Sequence, residues 1–375
     1  MLTLDDSMLP GEIFHVPMFM VLEGLKSDDP QKLRTSETWM RCNVKSYFRM
    51  LDPLIRRILN ASQPIKGKFD SSQVQYYVTS LTSLFRFGGQ GLSKACKTAE
   101  VSKSVNVQLV TTAEARYPNS NNYLELMVEM MTGLLKEDSR DPSRQRMQSA
   151  ALELLMFLVS RGDLTSVSLD LIKTTLVSQL LLATQHRRLT LQNSMLHLLH
   201  SAITTGNEKR RGHRVTSSTF SLPEKGGAAV PVEDPQAEFD RSLVGMIETG
   251  VAAPGNRPIL QHWIDFVLMV ISYFDYKPLH LRTLSDAFCE QLRDTMLNLH
   301  ATFTSSSIDD QAATVTEAEP IMLIGVVERL AMVLGAKAGS RKSDDREKHD
   351  REGGLLGYLP TVFSVEAPPD LPVSA

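Results

Sequence analysis

The sequence predicts an all-α protein, a HEAT/armadillo-like α-solenoid of stacked helix pairs with disordered insertions. Three observations predict it. Apolar residues recur at helical spacing in nearly every stretch, no stretch alternates as a half-buried strand does, and the helices are joined by short acidic-Pro or basic elbows. An amphipathic helix with one apolar stripe can bury it only against a neighbour, so short joints between such helices imply pairs that stack.

The first pair lies within residues 19–39. Met20, Val21, Leu22 and Leu25 form an apolar helix, Asp28, Asp29 and Pro30 a turn, and Leu33, Arg34 and Trp39 a second helix. A helix, an acidic-Pro turn and a helix with an early Arg is the outline of a HEAT unit. Residues 78–87 read as a helix ended by a turn containing Gly88, Gly89 and Gly91. Tyr123, Met127, Met130, Met131, Leu134 and Leu135 form the next stripe behind a cap at Asn122. Asp141 and Pro142 then open a helix carrying Arg144, Met147, Ala151, Leu154, Leu155 and Leu158, with Pro at a helix start where its missing N–H costs nothing. A looser third joint follows. One helix ends near Thr184, His186, Arg187 and Arg188 form a basic elbow, and another helix runs from Leu189 through Leu199. Two later stripes are Leu284, Phe288, Leu292, Met296, Leu299 and Phe303, then Ile321, Ile324, Val327, Leu330, Ala331 and Leu334.

Three segments lack apolar periodicity: 206–239, a Ser/Thr/acidic loop at 304–319, and a charge tract at 335–354. The domain reading is therefore a helical-repeat segment over 1–205, a flexible low-complexity insertion over 206–239, a second helical-repeat segment over 240–335, and a charged, Pro-containing, mostly disordered tail over 336–375.

Bulk properties narrow the function. Hydrophobic residues make up 42% and charged residues 22%, enough to build a core. The net charge of -3 provides no global field for nucleic acid. Cys42, Cys96 and Cys289 lie far apart with no CxxC pair, which predicts neither a disulfide framework nor a thiolate zinc site and fits a reducing compartment. The first twenty residues have no basic start and apolar h-region. The longest apolar stretch, 263–274, is far short of the roughly 20 residues that span a bilayer.

Candidate chemistry is sparse. Gly88 to Lys94 resembles a phosphate-binding loop only superficially, because Lys94 follows Ser93 and the preceding stretch reads as a helix; a glycine turn is expected. His197 and His200 stand three apart, as a metal-ligand pair would, but no Glu or Cys completes the set, so they are expected beside a helix interface. The adjacent pairs Asp28–Asp29 and Asp309–Asp310 read as caps or turn residues, and the Met127, Met130, Met131 group as core filler. Patterns for serine hydrolases, zincins and kinases are absent. No enzyme, cofactor or metal is expected. Lys209, Arg210, Arg211, His213 and Arg214 form the one concentrated basic cluster, a candidate contact for anionic lipid, flanked by Thr216, Ser217, Ser218 and Thr219, where phosphorylation would cancel its charge.

Several strings resemble the Dopey family of large trafficking proteins in its fungal version: PMFMVLEGL at 17–25, ETWMRC at 37–42 and above all KSYFRMLDPL at 45–54. LTLQ at 189–192 with LLH at 198–200, and LQHWIDFVL at 260–268, are similar to that family's helical middle region. The resemblance covers about two thirds of the chain and skips the low-complexity loops. It implies a non-enzymatic scaffold in vesicle-mediated transport between Golgi and endosomes, with a role in cell polarity or morphogenesis. It also implies a cytoplasmic protein peripheral on those membranes, whose partners are a large Sec7-related scaffold and a P-type ATPase phospholipid flippase. Family members are several times longer, so an internal or truncated segment is expected. The competing expectation is a karyopherin-like or chromatin-associated helical-repeat protein, with the basic cluster as its nuclear address.

Overall fold

The computed structural model describes residues 15–42, 47–62, 70–104, 106–137, 141–216, 235–274, 278–304 and 318–352; at several helix ends, among them 210–216 and 337–352, it describes the backbone alone. Residues to Leu330 form one compact unit and 331–375 a second, of which the helical backbone to 352 is described. Among the described residues there are thirteen α-helices, and the one β contact is an isolated bridge between Glu100 and Asn122. The fold is an all-α solenoid.

The helices alternate between two layers. The first holds α1 (His15–Gly24), α3 (Tyr47–Ala61), α5 (Val107–Arg116), α6 (Tyr123–Lys136), α8 (Ser166–Gln185), α10 (Pro235–Ala252) and α12 (Pro278–Thr304). The second holds α2 (Pro30–Cys42), α4 (Ser71–Thr98), α7 (Pro142–Ser160), α9 (Leu189–Thr216) and α11 (Leu260–Val270). Hairpin partners pack across the layers (α1 on α2, α3 on α4, α6 on α7, α8 on α9, α10 on α11), and within the layers α6 packs on α8, α8 on α10 and α10 on α12, as do α2 on α4, α4 on α7, α7 on α9 and α9 on α11. That two-way packing buries Met127, Met131, Leu154, Leu176 and Leu198 completely, each at 0% exposure. Met130 is buried with them, so the methionines fill the core as expected. The last helix, α13 (Ala318–Glu352), buries Leu323, Val326 and Leu330.

The expected joints are observed, with their caps. Asp29 Oδ1 accepts from the Gln31 backbone N–H at 2.9 Å and Asp141 Oδ1 from Ser143 at 3.0 Å, each beside a Pro in the first turn. Asn122 accepts from Glu125 N–H at 3.0 Å. The basic elbow lies at 186–188, where Arg187 takes a left-handed φ of 53°. The glycine turn is a kink rather than an end: α4 bends at Gly89, whose φ of 65° and ψ of −160° an L side chain rarely adopts.

Two helices outrun the sequence reading. The backbone of α9 stays helical to Thr216, eleven residues into the expected insertion, and α13 carries the expected irregular tail to Glu352. Loss of an apolar face says that a segment is not buried; it does not say that it is not helical. Lys, Arg and Glu are good helix formers, and residues 337–352 are rich in them. Residues 235–239, 304 and 318–319, also expected to be irregular, are helical as parts of α10, α12 and α13, and residues 217–234, 305–317 and 353–375 lie outside the described residues. Nor does the insertion divide the stack, because α10 packs on α8 and α11 on α9 across it. Among the described residues one helix, α8, is long and apolar enough to span a bilayer by length and composition, which the sequence reading missed; here it packs between α6, α9 and α10.

A repeated device closes the elbows. Gln148 of α7, 1% exposed, donates through Nε2 to the carbonyls of Leu135 and Glu137 at 3.0 Å each, satisfying the end of α6. Gln192 of α9 donates to Ala183 at the end of α8 at 3.2 Å, and Asn256 donates to Gly250 near the end of α10 at 2.8 Å. Replacing Gln148 by Met, which keeps the volume but not the donor, is expected to cost about 1–2 kcal/mol, seen as a lower urea midpoint at unchanged slope.

Candidate partner-binding groove

Three depressions follow one another along the second layer. The first, about 910 Å³, lies between α1 and α2 and is walled by Phe19, Met20, Glu23, Lys32 and Ser36. The second, about 330 Å³, is walled by Leu25 of the α1–α2 turn and by Leu33, Arg86, Phe87 and Glu153 from α2, α4 and α7. The third, about 500 Å³, runs between α7 and α9 past Leu152, Met156, Phe157 and His197. Ser27 lines both the first and the second, and Glu153 both the second and the third, so successive depressions share a wall residue and together make a candidate groove.

The crossings are held by charge. Arg86 of α4 pairs with Glu153 of α7 at 2.9 Å on the surface. At the α1 end, Glu23 accepts from the Tyr76 hydroxyl and lies 3.4 Å from Lys26 Nζ, which donates to Ser80 at 2.6 Å and sits 4.0 Å over the Tyr76 ring. The Tyr76 hydrogen bond, then Lys26, holds the Glu23 carboxyl below its usual range. Burial and the Glu23 contact push Tyr76 up to about 12. These bonds tie α1 to α4 and fix the groove wall, and each partner is already occupied, so the cluster offers no free acid or base.

Of the sequence-predicted residues, Asp29 lines the first depression and His197 the third, and the others fall elsewhere. Lys209 is half-buried and donates to the Leu164 carbonyl, while burial and Lys97 lower its pKa; the side chains of Arg210, Arg211, His213 and Arg214 lie outside the described residues. Lys209 is therefore a brace between α9 and the start of α8 rather than part of a flexible loop. His197 and His200 do not converge. His197 is exposed, with its ring against His262 of α11 at 6.4 Å, while His200 is half-buried against Thr204, and burial, then His197, lowers its pKa. Asp29 is a cap as expected, and Asp309–Asp310 lie outside the described residues. Among the described residues no group of three or more His, Cys, Asp or Glu could hold a metal ion. The described free cysteines are buried Cys96 and exposed Cys289.

Sequence reasoning missed the groove, because its walls come from helices far apart in the chain. It also missed a repeat: Arg144, Met147, Gln148, Leu152, Leu154 and Leu155 recur 44 residues later as Arg188, Leu191, Gln192, Leu196, Leu198 and Leu199. That period lies in the HEAT range, and self-alignment at that offset would have found both elbow glutamines.

No family model and no curated protein matches the chain. Among solved structures, one described as a circular tandem repeat protein with novel repeat topology and enhanced subunit contact surfaces is similar at 12% identity and a TM-score of 0.32, over 90% of this chain and 75% of that one.

Proposed function

We propose that the chain is a non-enzymatic scaffold segment that holds a protein partner along the second-layer groove. The sharing of Ser27 and Glu153 between successive depressions supports this reading. Helices pack about 8–10 Å apart, so the path from α2 across α4 and α7 to α9 is roughly 30 Å, the length of about 20 residues of helix. Phe19, Met20, Met156 and Phe157 supply aromatic and thioether walls, the side chains that accept an amphipathic helix by its apolar stripe.

The partners and the place of action that we propose come from the resemblance of 17–25, 37–42 and 45–54 to the Dopey family. They are a Sec7-related scaffold or a phospholipid flippase, met at Golgi and endosomal membranes. Affinity capture of the tagged chain with mass spectrometry and membrane fractionation tests this. The expected result is recovery of one of those partners, cut at least tenfold by Met20→Asp together with Phe157→Asp in a chain whose helical spectrum is retained. Equal recovery by the variant would remove the groove from the reading, and recovery of neither partner would remove the trafficking role.

A further inference from the structure

We infer that His197 of α9 and His262 of α11 form a two-imidazole site for a borderline divalent ion of the Zn2+ class. Both rings are exposed, and they come from consecutive members of the second layer that the chain reaches across residues 217–234. Their centroids are 6.4 Å apart and their planes 63° apart, an edge-on arrangement rather than a stack. With Zn–N bonds of about 2.0–2.1 Å, two rings on one tetrahedral ion have centroids roughly 5–6 Å apart. A small side-chain rotation of two exposed imidazoles closes that gap without moving the helices. Imidazole is the commonest nitrogen ligand for this ion class, and its neutral form is the ligand.

The neighbouring candidates are engaged. Asp265, one turn along α11, accepts from the Gln261 amide at 2.7 Å, and Glu153, across the third depression from His197, is held by Arg86 at 2.9 Å. With Asp265 and Glu153 so held, a bound ion would take water in its remaining positions and would act as a staple between α9 and α11. His200 shares α9 with His197 but turns to Thr204, so the pair crosses helices rather than running along one.

The test is titration of the chelator-stripped full chain with Zn2+ alone, followed by calorimetry and by thermal melting. One equivalent is expected to bind. His197→Gln and His262→Gln should each weaken it at least tenfold, and His200→Gln should leave it unchanged. In saturating Zn2+ the melting midpoint should rise by about 2–4 °C, and that rise should vanish in the first two variants only. Binding that survives His262→Gln, or that is lost in His200→Gln but not in His262→Gln, overturns the site, as does no binding at all.

Discussion

Replacing Trp263 with alanine is expected to lower the free energy of unfolding by about 3–5 kcal/mol, the range for emptying a fully buried aromatic site. Trp263 is 0% exposed, and its indole Nε1–H donates to Gln192 Oε1 at 3.2 Å, so one side chain fills the α11 core and also ties it to the elbow amide of the preceding pair. The ring lies against Gly250 of α10, where an added Cβ would meet three ring carbons at 2.2–2.5 Å. Gly250→Ala should therefore be strongly destabilising in the native chain and nearly neutral in the Trp263→Ala background. Urea unfolding of the two single variants and the double variant measures that non-additivity. Additive effects would show that the close approach is not what makes the glycine necessary.

Asp52 should give the second large effect, and a pH-dependent one. It is 6% exposed on α3, and it accepts from Ser104 at 2.5 Å and from Tyr123, the first residue of α6, at 2.7 Å. Between α3 and α6 the chain inserts α5 and a short 3-10 turn, so this carboxylate stands where neighbouring helices elsewhere in the layer pack directly. Alanine there removes the acceptor that Ser104 and Tyr123 share, a loss expected to cost about 1–3 kcal/mol. Burial holds the Asp52 carboxyl above the ordinary value of 3.8, against the pull of its two hydrogen bonds. A raised folded-state pKa means that the native state binds the proton more tightly than the unfolded chain. The ionised form therefore costs stability as pH rises from about 3.8 through the folded pKa. Native minus Asp52→Asn stability should fall over that window and then level off, as read from urea midpoints at a series of pH values. A difference that rose with pH would reverse the sign of the burial effect.

The sequence carried the joints well and the surfaces poorly. Asp29–Pro30 and Asp141–Pro142 were legible because a cap and a first-turn proline are local signals, set by backbone groups within a few residues. Arg187 and the Gly89 kink were likewise marked by residue type. The ends of α9 and α13 were not, since charge-rich helices leave no apolar stripe to read. The groove was out of reach altogether: Leu33, Arg86 and Glu153 meet only because α2, α4 and α7 are successive members of one layer. The imidazole pair was half seen, with His197 matched to a neighbour along its own helix instead of one across the stack.

The direct packing of α10 on α8 and α11 on α9 sets the register of the helices on either side of residues 217–234 through their own side chains. Two halves that adhere through their own side chains do not depend on the length of the tether between them. Natural variation can therefore lengthen, shorten or interrupt that stretch, or seat a whole foreign domain in it, while the register of the helices on either side stays fixed.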